Sequence, residues 1–122
     1  MIKTGNTFLI PDKSGKRHLW VILPVTKTNP KHLCVLVNLS SKKCPAKNCS
    51  MVLSSRDHPF LKKDSFVRCD HSRTLPLKNL EALLKKGKIA KKEDMKETVL
   101  TKVRKTVLAC RMTSKEVKVL LT

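Results

Sequence analysis

Leu33-Cys34-Val35-Leu36-Val37-Asn38-Leu39 is a nearly continuous apolar run, bounded upstream by Pro30 and downstream by Ser40-Ser41-Lys42-Lys43. A short run of this kind, without the polar alternation of a half-wetted strand, belongs to a strand covered on both faces. It predicts the central strand of a sheet. Working outward, Leu19 to Leu23 is a second strand ended by Pro24, and Thr7 to Ile10 an earlier one stopped by the turn cluster Pro11-Asp12-Lys13-Ser14-Gly15. Downstream, Lys42 to Asn48 carries Pro45 among polar residues and predicts a loop, followed by a short strand at Ser50 to Leu53. Asp57-His58-Pro59-Phe60 predicts a turn with Phe60 packed inward, and Ser65 to Cys69 a fifth strand.

Beyond Leu75 the apolar spacing becomes helical. Pro76 suits the start of a helix whose Leu77, Leu80, Leu83 and Leu84 share one side and which Gly87 stops. Met95, Val99, Val103 and Val107 recur every four residues and predict a second helix over about Lys92 to Ala109, with Glu93 and Asp94 at its positive end. Thr113-Ser114-Lys115-Glu116 matches a capping box and predicts a short third helix. The expectation is an α+β chain: a small, strongly bent five-stranded sheet or SH3-like barrel over residues 1–75, followed by C-terminal helices over residues 76–122. At 122 residues, one domain spanning 1–122 accounts for the whole length.

The charge narrows the partners. Lys and Arg number 27 against 9 Asp and Glu, a formal +18 spread along the chain instead of gathered in a tail. Such an excess goes beyond what solubility requires and predicts a polyanionic partner, with RNA foremost. Hydrophobic residues at 40% suffice for a globular core. Aromatic residues are only 3%, with no Tyr, so the stacking platforms of RRM or OB-type binders are hard to build and backbone electrostatics must carry the affinity. No apolar run approaches the ~18 residues of a membrane helix, and the four-residue stretch before Pro11 is shorter than the ~7 to 15 apolar residues of a secretory signal. No membrane association and a cytoplasmic location are expected, with reduced thiols for the five cysteines.

Motifs for other chemistries are missing: there is no Walker loop, no GxSxG elbow and no HExxH helix. Cys44, Cys49, His58, Cys69 and His71 offer thiol and imidazole ligands, but a Cys-x-His pair is too tight for usual zinc sites, and no metal or cofactor is expected. Cys49 with His58 is also readable as a thiolate pair for covalent catalysis.

Gly5-Asn6-Thr7-Phe8-Leu9-Ile10, then Gly15-Lys16-Arg17-His18 before a strand, Leu39-Ser40-Ser41 after the buried run, and Ser65-Phe66-Val67-Arg68-Cys69-Asp70-His71-Ser72-Arg73 together resemble the PemK/MazF family over about residues 5–85. The stretches Asp57-His58-Pro59-Phe60 and Asp64-Ser65-Phe66-Val67, with the helical end, are more similar to a phage- and plasmid-associated branch of PemK-like proteins. The resemblance implies an SH3-like barrel, a toxin-type endoribonuclease that cuts single-stranded RNA without metal, a homodimer, and an acidic antitoxin protein laid over the basic groove. By position it implies catalytic roles for Arg17 and for Ser40 or Ser41. His18 departs from the family's proline there, and as a titratable group beside Arg17 it is a further candidate acid or base in its own right. The usual threonine is replaced by the serine pair. Lys13, Lys16, Lys42, Lys43, His71 and Arg73 are the expected RNA contacts. The alternative is a basic module on the same barrel that binds nucleic acid or protein without cleaving it.

Overall fold

The computed structural model describes residues 2–26, 29–45 and 51–122. Its elements, in chain order, are β1 (Thr7–Pro11), β2 (Arg17–Leu23), β3 (Leu33–Ser40), β4 (Val52–Leu53), β5 (Ser65–Pro76), α1 (Leu77–Lys85), β6 (Ala90–Lys92), α2 (Glu97–Ala109) and α3 (Lys115–Leu121). The strands form one curled antiparallel sheet in the order β4-β5-β3-β2-β1-β6. The architecture is thus α+β, a six-stranded half-barrel with helices toward its C-terminal end.

β3 is the predicted central strand, buried from Cys34 to Ser40 between β2 and β5. Side chains of a strand alternate between faces, so its two sets enter different cores. Val35, Val37 and Leu39 join Leu19, Val21, Leu23 and Val67 beneath α2 and α3, which contribute Val99, Val103, Val107, Val117 and Leu121. Cys34 and Leu36 join Phe8, Trp20 and Ile22 on the opposite face, where α1 inserts Leu80.

The sequence reading needs four adjustments. A sixth strand, β6, lies within the part read as helical and pairs Ala90 to Lys92 with β1, so α2 starts at Glu97, not near Lys92. β5 runs on to Pro76 because its second half completes the ladder with Leu33 to Leu36. The third helix is capped one residue later than read: Ser114 is the N-cap and accepts from the Val117 amide at 3.3 Å, while Thr113 Oγ1 donates to the Val107 carbonyl at 2.6 Å. Finally, Cys34, Cys44 and Cys69 are free thiols, but Cys110 is disulfide-bonded, so reduced cysteines are not found throughout.

The motif Asp57-His58-Pro59-Phe60 is the expected turn, and it is also a lock. Asp57 Oδ2 accepts from the Ser54 amide at 2.8 Å, and the His58 and Asp57 amides both reach the Ser54 carbonyl. His58, 1% exposed, accepts the Phe60 amide on Nδ1 at 3.1 Å, so its proton is on Nε2 and is donated to the Glu93 carbonyl at 2.6 Å. The Thr7 hydroxyl donates to the same carbonyl at 2.6 Å. Asn6 donates to Asp94 at 2.9 Å, and Gly5, at φ +87 where only glycine is unstrained, accepts the Met95 amide at 2.9 Å. Gly5-Asn6-Thr7 and His58 therefore fasten the first strand to the entry of α2. No helix among the described residues is long and apolar enough to cross a membrane.

Candidate nucleic-acid interface

The β1–β2 hairpin is closed by Asp12. Its Oδ1 accepts from the Ser14 amide at 2.9 Å, the Ser14 hydroxyl at 2.6 Å and the Lys16 amide at 3.0 Å, and Gly15 at φ +88 completes the turn. The other carboxylate oxygen is left to orient His18, whose Nε2 lies 3.0 Å from Oδ2. The Ser14 hydroxyl, with His18 second, pulls the Asp12 carboxyl down to about 2, so it is ionised at any working pH. A carboxylate only accepts. His18 must carry a proton on Nε2, and Nδ1 is the nitrogen that can take or release one.

A second imidazole is set by a bulge in β5. Leu36 faces Arg73 and Asn38 faces Arg68, yet one residue separates the pair on β3 while Cys69, Asp70, His71 and Ser72 lie between them on β5. Residues directly opposite share a face, so the bulge puts Arg68 and Arg73 on the same side of the sheet, which regular alternation would forbid. Ser72 Oγ closes it by donating to the Cys69 carbonyl at 2.6 Å. Arg68 grips Asp70 with Nε and Nη2 at 2.9 and 2.7 Å, and Nη2 also donates to His71 Nε2 at 3.2 Å. Guanidinium only donates, so His71 keeps its proton on Nδ1. Burial first, then the Arg68 charge, lowers the pKa of His71 below 6.5, with Arg73 and His18 acting the same way against Asp70. Asp70 is itself held below the ordinary carboxylate range by its bonds to Arg68.

His18 and His71 line one cleft of about 520 Å³, with Lys13, Arg73, Trp20 and Asn38, and with Ile10, Leu36, Leu75, Leu80 and Leu83 as apolar wall. Arg73 lies over the Trp20 ring, 4.4 Å from its centroid. A smaller cleft of about 250 Å³ gathers Lys16, Arg17, Ser40 and Ser41 with Lys62 and Lys63, and His18 lines this one as well. No protein-family model, curated protein or solved structure matches the chain. The geometry therefore carries the functional argument.

The structure brings together the residues expected from sequence in two groups that meet at His18. Arg17 and Ser40 with Ser41 share the smaller cleft, and Lys13, His71 and Arg73 the larger. Lys42 and Lys43 are exposed beyond β3 and line neither. The Ser40 hydroxyl is taken up locally, accepting the Lys42 amide at 3.2 Å. Asp12, Arg68, Asp70, Trp20 and Asn38 were not singled out from sequence. Asp12 had a signal, since Asp-x-Ser-Gly between two strands predicts a side-chain-capped turn. Among the described residues no group of three His, Cys, Asp or Glu could hold a metal, and Cys49 lies outside them.

The tautomers give a first test. The neutral form of His71 is favoured in the folded chain, so any stability it adds is present above the free-imidazole pKa and lost as pH falls through the lower folded value. In a pH titration followed by NMR, His71 is expected to show a midpoint below 6.5, and Asp70→Asn to lower it further by removing the one carboxylate that raises it.

Proposed function

We propose that this chain is a metal-independent endoribonuclease acting on single-stranded RNA, with the His18 and His71 cleft as its reaction centre. One observation carries the reading: two imidazoles with fixed and different tautomers share a cleft with Lys13 and Arg73 in a chain of charge +18. His18 Nδ1 takes the 2′-hydroxyl proton, and Asp12 stabilises the imidazolium that forms. The 2′-oxygen attacks phosphorus as the bond to the 5′-oxygen breaks, and the departing oxygen takes a proton from a water whose hydroxide then takes the proton held by the His18 imidazolium, leaving a 2′,3′-cyclic phosphate, a 5′-hydroxyl and neutral His18. Lys13, Arg73 and the Nδ1–H of His71 stabilise the charge that develops on the phosphoryl oxygens. These side chains supply the base and the cations that a metal would otherwise provide. The order of motifs similar to PemK/MazF toxins supports the same activity, and with it a homodimer that an acidic antitoxin segment would cover.

The test is to incubate the protein with mixed-sequence RNA in EDTA. Discrete products ending in cyclic phosphate are expected, and intact RNA with a shifted gel band would leave the non-catalytic binder. The gathering of Arg17, Ser40 and Ser41 favours a second placement of the chemistry, in the smaller cleft. Comparing Arg73→Ala with Arg17→Ala separates the two: the cation of the reacting phosphate loses turnover, and the other only weakens binding.

Binding should depend steeply on salt in either case. If Lys13, Arg73, Arg17 and Lys62 each meet one phosphate, the logarithm of affinity falls with the logarithm of salt with a slope near about −2.8, or roughly 50-fold between 50 and 200 mM. Fluorescence titration of a labelled oligonucleotide at several salt concentrations measures it, and a slope near zero would remove the polyanion argument.

A further inference from the structure

Asn38 is 4% exposed in the middle of the sheet, lines the 520 Å³ cleft, and its Oδ1 has no hydrogen-bond partner. A buried acceptor left unpaired costs about 1–3 kcal/mol, and in native proteins it marks a place for water or ligand. Its cross-strand neighbours do not relieve it. Trp20 faces Asn38 on one side and Arg68 on the other, and Arg68 is committed to Asp70, His71 and the Lys42 carbonyl. Around this one carboxamide the cleft wall is apolar, made by Leu36, Leu75, Leu80 and Leu83 with Trp20, one face of whose ring carries Arg73. An apolar slot with a single unpaired amide, beside Arg73, Lys13 and His71, has the make-up of a site for a planar heterocycle joined to a phosphate.

We propose that the cleft is a base-reading pocket that takes one adenine of a single-stranded nucleic acid, with Asn38 as its specificity-determining residue. The carboxamide carries one acceptor and one donor side by side. Adenine presents the complement, an N6 amino donor next to a ring-nitrogen acceptor, and it does so on both of its exposed edges. Guanine, cytosine and uracil can meet the carboxamide on their pairing edge alone, guanine's outer edge having acceptors at O6 and N7. Only adenine fits in either orientation, and as a purine it covers more of the apolar wall than a pyrimidine. The χ2 torsion of asparagine is soft, so the amide plane can turn to meet the base at little cost. The apolar wall covers the base faces, and Arg73 and Lys13 are left for the phosphate. This assignment rests on the RNA reading for the kind of polymer and is independent of whether the polymer is cut.

Trp20 is the chain's one tryptophan and lines the pocket, so its fluorescence reports occupancy. The experiment titrates wild type, Asn38→Leu and Asn38→Asp with the 3′-monophosphates of adenosine, guanosine, cytidine and uridine. Adenosine monophosphate is expected to bind tightest to wild type. Asn38→Leu, with the same branched skeleton and no polar atom, should keep the fold but lose about 5- to 150-fold in adenosine affinity and bind all four nearly alike. Asn38→Asp, acceptor-only, should turn the preference toward guanosine, whose N1–H and N2–H2 are both donors. Unchanged fluorescence with all four up to millimolar concentration, a wild-type preference for another base, or an adenosine preference that survives Asn38→Leu would overturn the pocket. RNA cleavage in EDTA is scored separately. Cleavage without nucleotide binding at Trp20 sinks the pocket and spares the nuclease, and Asn38-dependent binding without cleavage does the reverse.

Discussion

Replacing His18 by alanine is expected to lower RNA turnover by about 10²- to 10⁴-fold while leaving RNA affinity within about threefold of wild type. The asymmetry follows from what the side chain does. As the base proposed to take the 2′-hydroxyl proton, it would act only as the bond to phosphorus forms, whereas ground-state affinity would come from the cations around it. Imidazole added to solution should recover part of the lost rate, because the cleft that His18 lines is open to a small molecule of that shape. Asp12→Asn should fall in the same direction, since an amide can donate to Nε2 and so move the ring proton to Nδ1, where it blocks the acceptor. Asp12 also closes the hairpin through Ser14 and Lys16, so thermal melting of this variant separates a loosened turn from a reversed tautomer. Single-turnover cleavage at saturating RNA for wild type, His18→Ala, Asp12→Asn and the control Lys102→Ala measures the effect. If His18→Ala loses no more than the control, the base is elsewhere, and Arg17 with Ser40 and Ser41 becomes the place to look.

Much of this arrangement was legible in sequence, because β3 declares itself by composition. Leu33 to Leu39 leaves no polar side for water except Asn38, so two covered faces follow, and the strands and helices on either side supply the covers. The helical repeat of Val99, Val103 and Val107 likewise points one stripe at the sheet. The larger cleft was less legible, for one physical reason. Arg68 and Arg73 are an odd number of residues apart, and alternation assigns them to opposite faces; only the bulge at Cys69 to Ser72 brings them together. The cost of that bulge is met by contacts invisible in a linear reading, such as Ser72 to Cys69 and Arg68 to Asp70. β6 escaped for a related reason. Ala90-Lys91-Lys92 has no strand composition, and it pairs because the Asn6, Thr7 and His58 contacts hold the following residues, Glu93 and Asp94, against β1. The motifs that carried the family resemblance divide accordingly: Gly5 to Thr7 and His58 serve the fold, whereas Lys16 to His18, the serine pair, His71 and Arg73 line the clefts.

Leu80→Ala is expected to be the most destabilising change that also reaches the site. Leu80 is the one fully buried residue of α1 and sits among Ile2, Phe8, Trp20, Ile22, Cys34, Leu36 and Ile89. α1 has no side-chain cap at Pro76, and a nine-residue helix is not stable in isolation, so packing has to hold it. Truncating a buried leucine costs about 2–5 kcal/mol in lost transfer energy and residual cavity. For a chain of this size that corresponds to a fall in Tm of roughly 6 to 20 °C. Leu83→Ala, at a half-buried position on the same helix, should cost clearly less, about 1 kcal/mol. Because Leu80 and Leu83 also line the larger cleft, loss of the anchor should loosen its apolar wall before the sheet melts. Trp20 fluorescence would then report a transition below the global one seen by circular dichroism. Coincident transitions with a large drop in Tm would mean that α1 and the sheet unfold as one unit. A drop of less than about 1 kcal/mol would show that the face beneath α1 closes over the lost methyl groups, and that the helix is not what holds the cleft in shape.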